Sequence, residues 1–179
     1  SAFEADIAAA VRVAEARGIE LSSIVFPRNQ FTVAHLAICA RHGITHFRGN
    51  PDGWAFEATK GAEQTAARRA LRLIDAYTGL LGAQTFVQGE GHPINVPASR
   101  FLRPCASGIG FLQPQHLATI KRGMTTAAKR GSGYHLWWHP HNFGRNLEDN
   151  MAGLEEIIEH FARLQGSFGM QSLAMADFS

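Results

Sequence analysis

The ten residues HLWWHPHNFG, His135 to Gly144, are the most informative stretch of this 179-residue chain. Two tryptophans close an apolar run that is typical of a short buried strand, and two histidines follow on either side of a proline. The apolar part would hold the position, while His139, His141 and Asn142 supply an acid, a base or ligand atoms. The alternative is an ordinary strand end whose imidazoles bond to backbone carbonyls.

Short apolar strands alternate with helices on both sides of this stretch, which favours an α/β fold with a parallel sheet. Strands are predicted at 24–26, 45–48 and 135–138. Helices are predicted from Phe3 to a stop at Gly18, at 33–41, at 62–77 with Ala66, Ala70, Leu73 and Ile74 on one face, at 115–129, and through Leu154 and Phe161. Residues 1–179 are predicted to form a single domain with an irregular excursion at about 79–114.

Polar residues follow several of the predicted strands. Pro27, Arg28 and Asn29 follow the first strand, Arg48 ends the second, and His139 ends the last. The carboxyl ends of parallel strands meet at one edge of a sheet, where α/β folds place their sites. The sequence therefore predicts that these residues contribute to one site.

Composition excludes some classes of function. A formal net charge of +2, with arginines scattered along helices, argues against a nucleic-acid partner. No apolar run approaches the roughly 20 residues of a membrane span. Cys39 and Cys105 lack metal-ligand spacing, and Cys39 is expected in the core. Charged residues make up only 18% of the chain, which suggests that another molecule covers part of its surface.

Other polar residues have either two interpretations or an expected place at the surface. Arg100 and Arg103 are either contacts to an acidic sugar or nucleotide carrier, or solvated loop arginines. The histidines at positions 35, 116 and 160 lie in helical stretches and are expected at the surface.

Four segments of the chain resemble the second half of a polysaccharide deacetylase of the chitooligosaccharide and peptidoglycan deacetylase homology group. They are SIVFPRNQ (23–30), HGITHFRG (42–49), SRFLRP (99–104) and HLWWHPHNFG (135–144). The resemblance is to a bacterial branch associated with surface polysaccharides, and it implies a partial, distorted (β/α) barrel that lacks its first strands. It also implies hydrolysis of N- or O-acetyl groups on a sugar or polysaccharide, assisted by a divalent metal such as zinc.

The resemblance assigns roles residue by residue. His139 matches the late-strand histidine that acts as general acid, and Leu136 and Trp138 would line the acetyl pocket around it. Pro27 matches the proline of a groove-lining motif, but Val25 stands where the family often has an arginine. Arg28 is the candidate to replace that arginine from another direction, or it forms a simple turn with Asn29. Trp54 corresponds to an aromatic groove wall.

The base aspartate and the metal motif of the family find no match in this chain. His42 and His46 have the right spacing, but Gly43 should place them on separate elements, so no metal ligand is assigned. The expectation is the latter portion of a deacetylase domain, inactive alone and without a tightly bound metal. A non-catalytic carbohydrate-binding or scaffold module is the first alternative. An enzyme whose missing ligands come from another chain is the second.

The partners expected from this assignment are an acetylated sugar or polysaccharide and a second copy of the chain. A barrel without its first strands exposes a sheet edge and an apolar interior, which predicts a two-fold homodimer. The expected location is the bacterial cytoplasm.

Overall fold

A computed structural model describes residues 1–51, 65–87, 89, 91–105 and 108–178. The helices are α1 (Ala2–Glu15), α2 (Val33–Arg41), α3 (Ala66–Thr78), α4 (Gln113–Arg130) and α5 (Leu147–Phe168). The strands are β1 (Ser23–Ile24), β2 (His46–Phe47), β3 (Ile94–Asn95), β4 (Arg100–Phe101) and β5 (Leu136–Trp137). No helix in the described ranges is both long and apolar enough to cross a bilayer.

Residues group into two units by contact density. The first unit contains residues 1–50, 88–97 and 173–179, and the second contains 51–87 and 98–172. The single-domain organisation stays a prediction.

The first unit holds a three-stranded parallel sheet in the order β1-β2-β3. Ser1 caps α1 by accepting a hydrogen bond from the backbone of Glu4 at 3.2 Å, and Gly18 follows the helix with φ +68°. The 3₁₀ turn Met175–Asp177 contacts β2. Helix and sheet side chains bury one core: Ile7, Phe26, Ile38, Cys39, Ile44 and Phe47.

The second unit pairs β4 with β5 in parallel, and α4 packs against both α3 and α5. Gly153 of α5 faces Leu117 of α4, and an added Cβ there would lie 3.5 Å from that side chain, an ordinary van der Waals contact. The core of this unit lies largely between these helices and β5, and consists of Leu102, Leu117, Ile120, Met124, Phe143, Ile157 and Leu164.

The α/β class and the parallel strand pairing are confirmed, and α2 has the predicted bounds. The stretch predicted as an irregular excursion, at about 79–114, contains β3 and β4. These strands have two residues each, too few to show an alternating pattern. They form because β2 and β5 offer parallel partners.

The apolar face predicted for the helix α3 does not lie in the core. Leu73 and Ile74 are 45% and 52% exposed, whereas Asp75 and Ala76 are buried. Asp75 forms a buried ion pair with Arg100, with Nη1 3.1 Å from Oδ2. Arg100 is therefore neither a solvated loop arginine nor a ligand for an acidic sugar, because its charge is matched inside the second unit.

Candidate functional site

The first group of predicted site residues lies in the 3₁₀ turn Pro27–Asn29, directly after β1. Arg28 and Asn29 have φ of 55° and 52°, a left-handed conformation that costs a non-glycine residue about 1 kcal/mol or more. The Asn29 backbone N–H donates to the carbonyl of Phe26 at 2.9 Å, which closes the turn. The turn leaves Pro27 and Arg28 exposed and buries Asn29.

The buried amide of Asn29 joins the ends of β1 and β2. Its Oδ1 accepts hydrogen bonds from Nε and Nη2 of Arg48, both at 3.3 Å, and its Nδ2 donates to Oδ1 of Asn50 at 3.1 Å. Burial lowers the pKa of Arg48 from its ordinary value. The structure thus brings Asn29 and Arg48 together, and it adds Asn50, which the sequence analysis missed.

The second group lies at the end of β5, where aromatic rings surround His139. The His139 ring lies 5.8 Å from Phe101 and 5.4 Å from Trp137, edge-on to both, and 5.2 Å from His141 in a stacked arrangement. Phe101 and Trp137 pack together at 4.5 Å. We call these four residues, Phe101, Trp137, His139 and His141, the imidazole shelf. His139 and His141 are exposed on it.

Leu136 and Trp138 point away from Phe101. Leu136 packs on the core of the second unit, and the 38%-exposed Trp138 stacks at 6.4 Å on Phe143 of that core. This division follows from strand geometry, in which successive side chains point to opposite faces. Their lining of an acetyl pocket stays a prediction, but the ring of His139 packs against Phe101, Trp137 and His141.

Asn142 belongs to the turn that follows the shelf. Its backbone N–H donates to the carbonyl of His139 at 3.0 Å, and its side chain is half-buried. This bond fixes the path of the chain between His139 and the 3₁₀ segment Pro140–Arg145.

Asn150 on α5, which the sequence analysis missed, bonds to the chain after each of the two strands that carry the shelf. Its Oδ1 accepts from the backbone of Cys105 at 2.6 Å, and its Nδ2 donates to the carbonyl of Phe143 at 3.3 Å. Asn146 adds a bond from Nδ2 to the carbonyl of Cys105 at 2.8 Å. One buried amide thus joins the segments that follow β4 and β5. Side-chain amides on a helix give no sequence signal for such a role.

His116 was expected at the surface, but it is fully buried. Its Nδ1 lies 2.7 Å from the carbonyl of Ala76, and its Nε2 accepts from the backbone N–H of Arg103 at 3.0 Å. Nδ1 therefore carries the proton of a neutral ring. Burial lowers the pKa of His116, and the charges of Arg100 and Arg103 lower it further.

The described residues do not assemble a site for the divalent metal that the resemblance implies. No three His, Cys, Asp or Glu side chains gather to hold an ion in the part of the chain that the structure describes. His42 caps the end of α2, while His46 lies buried on β2, with Nδ1 2.8 Å from the hydroxyl of Thr45. The two histidines lie on separate elements, as predicted.

The predicted site residues divide between the units. Pro27, Arg28, Asn29 and Arg48 belong to the first, and Leu136, Trp138, His139, His141 and Asn142 belong to the second. Trp54 lies outside the described residues. No family model, no curated protein and no solved structure matches the chain.

Proposed function

We propose that this chain is the latter portion of a carbohydrate deacetylase domain and binds an acetylated sugar or polysaccharide at the imidazole shelf. The observation that carries the proposal is the exposed His139 beside Phe101 and Trp137 at the end of a parallel strand. Ring faces and edges of this kind pack against the C–H groups of a sugar. An exposed imidazole can also reach the nitrogen of an acetamido group.

In the proposed reaction, His139 is the general acid. Water adds to the acetyl carbonyl, the carbon–nitrogen bond breaks, and an imidazolium at position 139 returns a proton to the leaving amine. His141, stacked on His139, and the half-buried Asn142 would bind hydroxyl groups of the same sugar. Substrate contacts by Arg28, Asn29 and Arg48 concern the first unit alone and stay a separate prediction.

Activation of the water requires a base and a metal in this family, and the described residues do not assemble such a site. We therefore propose that the chain supplies groove and acid elements only, and that it is inactive alone. The wider fold proposal is a partial (β/α) barrel, supported by the two groups of parallel strands. A homodimer and a bacterial cytoplasmic location complete the proposal.

A non-catalytic carbohydrate-binding module is the second candidate. The observation that favours it is the exposed Trp138 beside the shelf. Exposed rings at the end of β5 can bind a sugar without any reaction. The two candidates differ in the importance of the acetyl group. A deacetylase remnant should prefer the acetylated sugar, whereas a general sugar-binding surface should not.

The test is a binding titration with the tetramer of β-1,4-linked N-acetylglucosamine and with its fully deacetylated counterpart. Chemical-shift changes of the indole N–H groups in the 179-residue chain report binding. We expect binding of the acetylated tetramer only, weakened about tenfold in Phe101→Ala, which corresponds to about 1.4 kcal/mol. The control is His92→Ala, which removes an exposed histidine of the first unit.

The outcomes separate the candidates. Equal binding of both tetramers would favour the non-catalytic module. No binding of either one would overturn both candidates. Acetate release by this chain with added zinc would show that the proposed inactivity is wrong.

A further inference from the structure

Helix α3 is amphipathic, but its apolar stripe faces outward. The stripe consists of Ala66, Ala70, Leu73 and Ile74, and its two large residues are about half exposed. Leu80, just beyond the helix, is 69% exposed. We call these five residues the α3 stripe.

Hydrogen bonds hold α3 in this orientation. The last four carbonyls of a helix lack partners within it. Here Arg100 donates to the carbonyl of Asp75 at 3.0 Å, and His116 to that of Ala76 at 2.7 Å.

The remaining two carbonyls are satisfied by α4. Thr119 donates to the carbonyl of Tyr77 at 3.0 Å, and Arg122 to that of Thr78 at 3.1 Å. With the buried Asp75–Arg100 ion pair, these bonds anchor the polar side of α3 inside the second unit. The apolar side of α3 is consequently exposed, where it can contact another molecule.

Helix α5 carries a second exposed apolar stripe. Leu147, Met151 and Ile158 are 57%, 41% and 56% exposed, and their spacing of four and seven residues places them on one face. We call them the α5 stripe. Glu148, Glu155 and Glu159 follow one side of this face at the same helical spacing and are exposed.

The two helices carry opposite charges. Helix α3 contains Arg68, Arg69 and Arg72, and its single acid is Asp75, which is paired with Arg100. Helix α5 contains five acids and one arginine, and of those acids Glu156 pairs with Lys121 on α4. Pairing α3 with α3 or α5 with α5 would bring like charges together, whereas α3 on α5 is complementary.

We propose that the α3 stripe of one chain packs on the α5 stripe of a second copy. A two-fold axis would form this contact twice, because each chain carries both stripes. Leu73 and Ile74 would fit between Leu147, Met151 and Ile158, as ridges into grooves, and Arg69 would face the row of glutamates. The stripes lie on helices and not at strand ends, so this proposal does not depend on the sugar chemistry.

The test is the mass of the full chain in solution by sedimentation equilibrium. We expect wild type to sediment at twice its 19.5 kDa. Ile74→Glu and Arg69→Glu should each raise the dimer dissociation constant about tenfold or more. Combining Arg69→Glu with Glu155→Arg should restore association, because the swap exchanges the charges across the interface. Val33→Glu, at an 84%-exposed valine of the first unit, is the matched control and should leave the mass unchanged.

A wild-type chain that stays a monomer at about 1 mM would overturn the proposal, and a different protein would then be the occupant of the stripes. A dimer that Ile74→Glu leaves intact would also overturn it. Circular dichroism of each variant checks that a lost dimer is not a lost fold. Failure of this test would leave the sugar-binding proposal standing.

Discussion

The end of β1 and the end of β5 both place polar side chains after a short parallel strand, yet they use them differently. After β1, the amide of Asn29 is buried and bonded to Arg48 and Asn50. After β5, His139 and His141 stay exposed, and their rings pack against other rings. A buried polar side chain whose donors and acceptors are all hydrogen-bonded within the protein stabilises the fold. An exposed polar side chain can instead bind a ligand. The comparison identifies the imidazole shelf as the better candidate for binding.

The largest expected effect comes from removing the ion pair next to the shelf. Arg100→Met leaves the Asp75 carboxylate buried without its partner and should lower the free energy of unfolding by about 3–5 kcal/mol. Urea denaturation followed by circular dichroism measures it. Arg145→Met, at an exposed arginine after the shelf, is the control and should change stability by less than about 0.5 kcal/mol. A small loss for Arg100→Met would show that the pair does not hold β4 in place.

A smaller loss is expected at the end of β1. Asn29→Ala removes the bonds to Arg48 and Asn50 and should lower the free energy of unfolding by about 1–3 kcal/mol. Asn29→Gly is the matched variant. It loses the same bonds but accepts φ of 52° freely, so it should be about 1 kcal/mol more stable than Asn29→Ala. If neither variant is destabilised, the hydrogen bonds of Asn29 to Arg48 and Asn50 do not stabilise the fold. The end of β1 would then not differ from the shelf in this respect.

The pH dependence of stability tests the buried, neutral ring of His116. The pKa of His116 is lowered in the folded chain, so the unfolded chain binds more protons as pH falls below about 6.5. The stabilising contribution of the neutral ring is thus complete above that pH and is lost as pH falls toward the folded pKa. We expect a lower denaturation midpoint at about pH 5.5 than at about pH 7.5.

The variants for this test are His116→Gln and His160→Gln. His160, whose pKa burial also lowers, should contribute a separate part of the pH dependence. His116→Gln should flatten the profile, because it removes the ring that accepts from Arg103. A profile that is unchanged in His116→Gln would show that His116 does not cause the pH dependence of stability.

The smallest effect on stability is expected at the shelf itself. His139→Ala removes an exposed ring and should change the free energy of unfolding by less than about 0.5 kcal/mol. The same variant should weaken binding of the acetylated tetramer about tenfold or more. A strong loss of stability with unchanged binding would show that His139 stabilises the fold and does not bind the sugar.

Local patterns predicted the parts of the fold that depend on near neighbours. Thr32 caps α2 and the helix runs to Arg41 within the predicted bounds, since caps and periodicity are local properties. Cys39 is buried as expected. The two-residue strands β3 and β4 could not be predicted, because their partners lie far away in the sequence.

The candidate site shows the same division. HLWWHPHNFG identified His139 and His141, but Phe101 reaches them only through the pairing of β4 with β5. Asn150 was missed, and the expectation that His116 lies at the surface was wrong, because buried polar anchors have no sequence pattern. Their roles depend on which backbone groups need partners after folding.

Sequence patterns alone were enough to predict that helices alternate with short parallel strands and that histidines follow one of these strands. Those features follow from apolar spacing and turn residues within a few positions. The burial of Arg100 against Asp75, the bond from Arg48 to Asn29 and the exposure of the α3 stripe became visible only in the folded chain. The physical reason is that burial of a charge or an amide depends on partners brought from distant parts of the chain.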